Sequence, residues 1–121
     1  MGGDHHVLIV EDDDDLRAVV ATILQSEGYP VIEAEHGLAA LEKLRAGSDV
    51  CLILLDLFMP AMNGWAFRQH QLSDPAIADI PVVVMTADSD AARQASTLGV
   101  VASMTKPVDF ERLLRVVDQY C

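Results

Sequence analysis

The chain has 121 residues, 51% of them hydrophobic and 22% charged, the size and balance of one globular domain and not of a disordered segment or two ordinary domains. Its 19 acidic and 8 basic residues give a formal net charge of −11, which repels phosphate backbones and anionic lipid and argues against direct binding of nucleic acid or membrane. No apolar stretch approaches the ~18 residues a membrane helix needs, and Met1-Gly2-Gly3-Asp4-His5-His6 lacks a signal-peptide pattern, so a cytoplasmic protein is expected.

In chain order, residues 1–6 read as a tail and 7–121 as the domain. Val7-Leu8-Ile9-Val10 is a short, wholly apolar run, as expected of a parallel strand covered on both faces. Leu16, Val19, Val20, Ile23 and Leu24 then recur at helical spacing up to Gly28. Val31-Ile32 marks a second strand, and Leu38, Leu41 and Leu44 a second helix ending before Gly47. Val50 to Leu55 is the most hydrophobic run and is expected at the centre of the sheet, with Asp56 directly after it. Met59-Pro60 and Asn63-Gly64 mark a loop before a third helix opened by Trp65, Phe67 and Arg68. Residues 81–85 form a fourth strand ending at Thr86-Ala87, and a weaker helical pattern runs from Asp90 to Leu98, stopped by Gly99. Val100 to Met104 gives a fifth strand ending at Thr105-Lys106-Pro107. Asp109 caps a last helix whose Phe110, Leu113, Leu114 and Val117 share a face.

Strict alternation of five strands and five helices predicts an α/β fold, a doubly wound, flavodoxin-like five-stranded parallel sheet of order 2-1-3-4-5. In that order a crevice opens at the carboxyl ends of strands one and three, where ligands bind in open parallel sheets. Glu11, Asp12 and Asp56 would converge there, with Thr86 and Lys106 on the same rim. Clustered carboxylates repel unless a counter-ion relieves them, and Mg²⁺ suits a few carboxylates plus waters and a phosphoryl oxygen. A carboxylate can attack phosphorus to give an aspartyl-phosphate, with the metal and Lys106 offsetting charge and Thr86 bonding an oxygen. Singly, each of these residues is more often a cap, a turn or a surface residue, and Asp13 to Asp15 read as helix caps and dipole partners. Jointly, their order at successive strand ends favours the functional reading.

These residues resemble the receiver domains of two-component response regulators, over essentially the whole chain. The matching motifs are Val10-Glu11-Asp12, Asp56-Leu57-Phe58-Met59-Pro60 with Gly64 four residues on, Thr86-Ala87 and Lys106-Pro107. The resemblance implies a CheY-like (βα)5 fold, Asp56 as phosphoacceptor, and a Mg²⁺ shell of Glu11, Asp12, Asp56 and the Phe58 backbone carbonyl. It further implies Thr86 as switch hydroxyl, Lys106 as phosphoryl-binding cation and a cis Lys106-Pro107 bond. The implied partners are a histidine kinase or histidine-phosphotransfer protein as donor, docking near the first helix, and a downstream protein target on the face of helix four, strand five and helix five. Such a switch is not a metabolic enzyme, although it would supply much of the transfer and hydrolysis chemistry itself.

Departures from the family pattern are Glu11, where Asp is commoner, and Ser103, where a switch aromatic is usual. Phe58 and Asp88 stand where they would tune the lifetime of the phosphoryl group. A constitutive pseudo-receiver that binds partners without phosphorylation is the rival reading, made more plausible by Ser103. An aspartyl-phosphate hydrolase would want a second Asp where Phe58 stands, and a flavin protein a phosphate loop after strand one. No output domain follows the fifth helix, so output would pass through protein contact unless the chain is a fragment, for example of a hybrid kinase. Cys51 and Cys121 show no metal or redox spacing, so no disulfide is expected, and Cys51 reads as a buried small hydrophobe. His5, His6, His36 and His70 share no ligand spacing and are expected in solvent, while Trp65 and the methionines are expected to pack.

Overall fold

The computed structural model describes residues 5–47, 49–59 and 62–121. Met1 to Asp4 of the expected tail and Pro60 of the expected loop lie outside the described residues. The chain alternates β1 (His6–Val10), α1 (Asp14–Ser26), β2 (Val31–Ala34), α2 (Gly37–Arg45), β3 (Val50–Asp56), α3 (Gly64–Leu72), β4 (Val82–Thr86), α4 (Ser89–Gln94), β5 (Ala102–Thr105) and α5 (Phe110–Tyr120). All pairings are parallel and the sheet order is β2-β1-β3-β4-β5, so the expected topology is met and β3 is central.

Side chains alternate across the sheet with the period of two that a pleated strand imposes. Leu8, Val10, Ile53, Leu55, Val82 and Val84 face Leu41 and Leu44 of α2, Phe67 of α3 and Ala91 of α4. On the opposite face, Val7, Ile9, Leu52, Leu54, Val83 and Met85 meet Val20 and Leu24 of α1 and Leu113 and Val117 of α5. Coverage on both faces is why β1, β3 and β4 read as continuous apolar runs. Asp13, Asn63, Asp88 and Asp109 cap α1, α3, α4 and α5 by accepting from amides of the first turn.

Several expectations change in detail. β1 takes in His6, one residue before the apolar run. Asp90 to Leu98 is not one helix: α4 stops at Gln94 and Ala95–Leu98 tightens into a 3-10 turn before Gly99 at φ 70°. Leu38 is 46% exposed, and Ala40 takes its place beside Leu41 and Leu44 in the core. His36 is half-buried and caps α2, its Nδ1 accepting from the Ala39 amide at 3.1 Å, and half-buried His6 also lies outside the solvent-exposed class expected of it. The largest correction concerns the cysteines. Cys51 and Cys121 form a disulfide with Cα atoms 5.5 Å apart, so Cys51 is a half-buried cross-link and not a buried small hydrophobe. A separation of 70 residues carries no motif; packing α5 across β3 creates the proximity.

Arg68 and Gln71 form a buried polar tie that α3 needs on its inner side. Arg68 donates to the Leu98 and Gly99 carbonyls at 2.9 and 3.3 Å and to Gln71 Oε1 at 2.7 Å, while the Gln71 amide donates to the Ile77 and Ile80 carbonyls. With these partners each guanidinium nitrogen of Arg68 and both amide atoms of Gln71 have a hydrogen bond, and among the described residues no buried side-chain nitrogen or oxygen lacks one. Among the described residues no helix is long and apolar enough to cross a membrane.

Candidate functional site

The polar residues expected to act together all lie at the carboxyl ends of strands. β1 delivers Glu11 and Asp12, β3 ends on Asp56, β4 ends on Thr86, and Lys106 follows β5. One carboxylate oxygen from each of Glu11, Asp12 and Asp56 lies within 4.8 Å of the others. Glu11 and Asp56 are buried, at 1% and 4% exposure, whereas Asp12 opens to solvent.

Lys106 is the counter-charge. Its Nζ donates to Glu11 Oε1 at 2.7 Å and stands 3.7 Å from Asp56 Oδ2. The second Glu11 oxygen accepts from the Asp13 amide at 3.2 Å, and Asp56 Oδ1 accepts from the Phe58 amide at 3.3 Å. Thr86 is fully buried; its Oγ1 accepts from the Asp88 amide at 3.2 Å, and its carbonyl accepts from the Lys106 amide at 2.7 Å. That last bond registers Lys106 against β4. The Lys106-Pro107 bond is cis, as the resemblance implied.

Burial, reinforced by the charge of Glu11 beside it, pushes the Asp56 carboxyl up to about 7, against the opposing pull of Lys106 and the Phe58 amide. Burial would lower the Lys106 ammonium, but the hydrogen bond to Glu11 and the charges of Asp56, Glu11 and Asp12 outweigh it and raise its pKa. Three carboxylates around one ammonium leave the cluster short of positive charge. Oxygen donors of this number, open to solvent on the Asp12 side, fit a hard divalent cation such as Mg²⁺ that keeps several waters, and Glu11, Asp12 and Asp56 are the residues that would hold it.

A stability consequence follows from the raised Asp56 pKa. An unfolded Asp titrates near ~3.9, so the folded metal-free protein favours the protonated form. This contribution is fully present below about 4 and is lost as pH rises through about 7. Metal-free protein should therefore lose about 1–3 kcal/mol between pH 5 and pH 8 from this group. Mg²⁺ should restore the loss at pH 8, and Asp56→Asn should flatten the slope. Thermal melts in chelator and in Mg²⁺ at both pH values measure this; an equal slope in wild type and Asp56→Asn would refute it.

Sequence reasoning overlooked Arg17. From α1 it donates through Nη1 to the Glu11 carbonyl at 2.7 Å and through Nη2 to Asp14 at 2.6 Å, with Nε 3.3 Å from Glu33 on β2. It thus fixes the backbone that presents Glu11 and Asp12. The i,i+3 spacing to Asp14 was visible in sequence; the reach back to Glu11 depends on how α1 leaves the sheet. Phe58 and Asp88 were the residues expected to tune the phosphoryl lifetime, Phe58 being next to Leu57 after the acceptor. Phe58 is 51% exposed, and its ring stands edge-on to Trp65 with centroids 5.5 Å apart. Asp88 Oδ1 accepts from the Asp90 and Ala91 amides, so its carboxylate serves as the α4 cap. Ser103 is half-buried on β5, paired with Val84.

Comparison with known proteins points to the response regulators. The model of the response regulator receiver domain matches residues 7–118. The chain is similar to the chemotaxis protein CheY1 of Helicobacter pylori, 35% identical over 104 residues that cover 84% of each chain. It is also similar to the two-component response regulator ORR5 of Oryza sativa subsp. japonica, 35% identical over 92 residues, covering 76% of this chain and 69% of that protein. Among solved structures, a response regulator receiver protein from Pseudomonas putida superposes with a TM-score of 0.90 at 26% identity, covering 98% of this chain and 99% of that one. Response regulator TrrA from Thermotoga maritima, in complex with Mg²⁺-BeF, gives 0.85 at 26% identity, covering 97% and 99%.

Proposed function

The chain belongs to the response regulator receiver domain family, and from that premise we propose that it is a phosphorylation-activated switch of a two-component relay with Asp56 as the acceptor. The observation that carries the assignment of residues is the convergence of Glu11, Asp12 and Asp56 within 4.8 Å, with Lys106 Nζ between the two buried carboxylates.

In this reading an Asp56 carboxylate oxygen attacks phosphorus in line with the leaving nitrogen of a donor phosphohistidine. The P–N bond breaks, the imidazole leaves, and Asp56 carries the phosphoryl group as an acyl phosphate. Glu11, Asp12, Asp56 and the Phe58 carbonyl would hold Mg²⁺, which would offset charge on the phosphoryl oxygens. Lys106 leaves Glu11 to pair with a phosphoryl oxygen, and the Thr86 hydroxyl donates to another. The pull on Thr86 acts through β4 and β5 by shifting an equilibrium that already exists between two conformations.

Receiver domains work with histidine kinases and downstream targets. For this chain the donor is a histidine kinase or a histidine-phosphotransfer protein, the setting is the cytoplasm, and output passes to a protein target on the face of α4, β5 and α5. Residues 7–121 form the switching unit. With Ser103 in place of an aromatic, the output face must respond through backbone shifts of β5 and not through the swing of a ring. The constitutive pseudo-receiver is not favoured: such a module has no need of a half-buried lysine shared between two buried carboxylates.

The test is intact mass of the purified chain after acetyl phosphate, with and without Mg²⁺, beside Asp56→Asn. A phosphoryl adduct that needs Mg²⁺ and is lost in the variant is expected. Absence of an adduct in folded protein would return the constitutive module to first place.

A further inference from the structure

We propose that Cys51 and Cys121 form a reversible thiol–disulfide site that locks the end of α5 to β3 when oxidised and frees the last turn of α5 when reduced by a dithiol. The site is separate from the phosphoryl chemistry: Cys51 lies near the start of β3 and Asp56 at its end, about 16 Å apart along an extended strand.

Both redox states have a place in the fold. In the oxidised state the bridge closes a separation of 70 residues with a Cα–Cα distance of 5.5 Å, inside the range native disulfides occupy. In the reduced state the Cys51 thiol has an acceptor already in position, the His6 carbonyl 3.4 Å from its sulfur. Cys51 would therefore stay on β3 as a satisfied thiol while Cys121 departs. Cys121 is exposed, so an attacking thiolate reaches its sulfur without opening the core.

The step balances as thiol–disulfide exchange. A dithiol donor's thiolate attacks Cys121 Sγ, the Cys51–Cys121 bond breaks, and Cys51 leaves as a thiolate that takes up a proton. The donor's second thiol then resolves the mixed disulfide, so the donor is oxidised to its own disulfide and both cysteines are left as thiols. A dithiol protein of the Cys-X-X-Cys class is the reductant this chemistry calls for. The proposed cytoplasmic setting is reducing, which makes the reduced state accessible there.

The structural consequence stays local. Leu113 and Val117 are fully buried and hold α5 without the bridge, and Tyr29 donates its hydroxyl to Asp118 Oδ1 at 2.8 Å as a second tether. Beyond Asp118, Gln119, Tyr120 and Cys121 are exposed, and apart from helical backbone bonds such as that from the Cys121 amide to the Val117 carbonyl at 2.8 Å the bridge is what ties this turn to the sheet. Reduction therefore releases one end of α5 while its docking on the sheet survives.

The experiment alkylates native protein with iodoacetamide before and after dithiothreitol or a Cys-X-X-Cys oxidoreductase, with amide exchange followed by mass spectrometry. Oxidised protein should take no label, and native-state reduction should expose both cysteines. Exchange over residues 119–121 should then quicken by ~10-fold or more, with residues 113–117 unchanged, and oxidised glutathione should reverse it. Cys121→Ser should show the fast exchange under oxidising conditions. Should that variant fold poorly, reduced wild type carries the same measurement. Free thiols that oxidised glutathione cannot pair would overturn the proposal. So would a bridge that yields to dithiol only after denaturation, or exchange that reduction leaves unaltered.

Discussion

Replacing Gly64 by alanine should cost about 3 kcal/mol of stability or more and should slow formation of the Asp56 adduct even where the protein remains folded. The reason is close approach, not backbone conformation. A Cβ at Gly64 would stand 2.7 Å from Leu57 Cα, 2.8 Å from the Asp56 carbonyl oxygen and 2.8 Å from Leu57 Cδ2. Two of these are backbone atoms of the segment leaving β3, so the strain is relieved only by moving that segment away from α3. The Gly64 amide donates to the Leu57 carbonyl at 2.8 Å, and the shift would break this bond as well. Because the same segment presents the Asp56 carboxylate and the Phe58 carbonyl, stability and chemistry should fall together. Gly37→Ala is the control: the three atoms nearest its Cβ all belong to the Met62 side chain, at 3.0 to 3.3 Å, which can turn aside. Chemical denaturation and adduct formation measured on both variants decide the matter. A Gly64→Ala protein within about 1 kcal/mol of wild type and with a normal rate would show that the β3–α3 approach is not fixed.

Lys106→Met is expected to have the second large effect, and to divide according to metal and pH. The substitution keeps most of the side-chain volume but leaves Glu11 and Asp56, both buried, without their cation. Breaking a buried pair from one side usually costs ~3–5 kcal/mol; since Lys106 is about one-fifth exposed, a loss of about 2–3 kcal/mol is expected at pH 8 in chelator. At pH 5 the loss should be smaller, because Asp56, titrating at about 7, is then protonated. Saturating Mg²⁺ should recover much of the stability, since the metal replaces the missing charge and no longer competes with an ammonium for Glu11. The rate of adduct formation should not recover. Without a cation to meet the transferring group it should remain ~10²–10³-fold below wild type, the usual loss when one electrostatic stabiliser is removed. Mg²⁺ affinity from a titration, set beside the adduct rate at saturating Mg²⁺, separates the two roles. A variant with weakened Mg²⁺ binding and a normal saturated rate would make Lys106 a structural residue alone.

The candidate site is held by elements that share no local sequence. Glu11 is fixed on three sides, through Lys106 from β5, the Asp13 amide at the start of α1, and Arg17, which grips its carbonyl. Asp56 is fixed by its pairing with Met85 of β4, by the pairing of neighbouring Leu55 with Val10 of β1, and by the Phe58 amide. Charge held among buried groups in this way is costly at rest and would be relieved by a divalent cation, so under the proposed function metal loading and phosphoryl chemistry would be coupled in one pocket.

Fold class, sheet order and the candidate site were all legible in the residue pattern. Those features follow from local physics. Apolar runs covered on both faces announce parallel strands, helical periodicity announces the crossovers, and right-handed connection leaves few ways to assemble them. Polar residues that end apolar runs then fall on one rim whatever the details of packing. Tertiary structure alone decided the rest. The Cys51–Cys121 bridge, the reach of Arg17 to Glu11, the Arg68–Gln71 tie and the close approach at Gly64 all join residues whose proximity is set by how helices lie against the sheet. The division of 90–98 into α4 and a 3-10 turn belongs with them, because Arg68 takes the Leu98 and Gly99 carbonyls at its end. Periodicity reports which face of an element is buried, but not which atoms of another element meet it there.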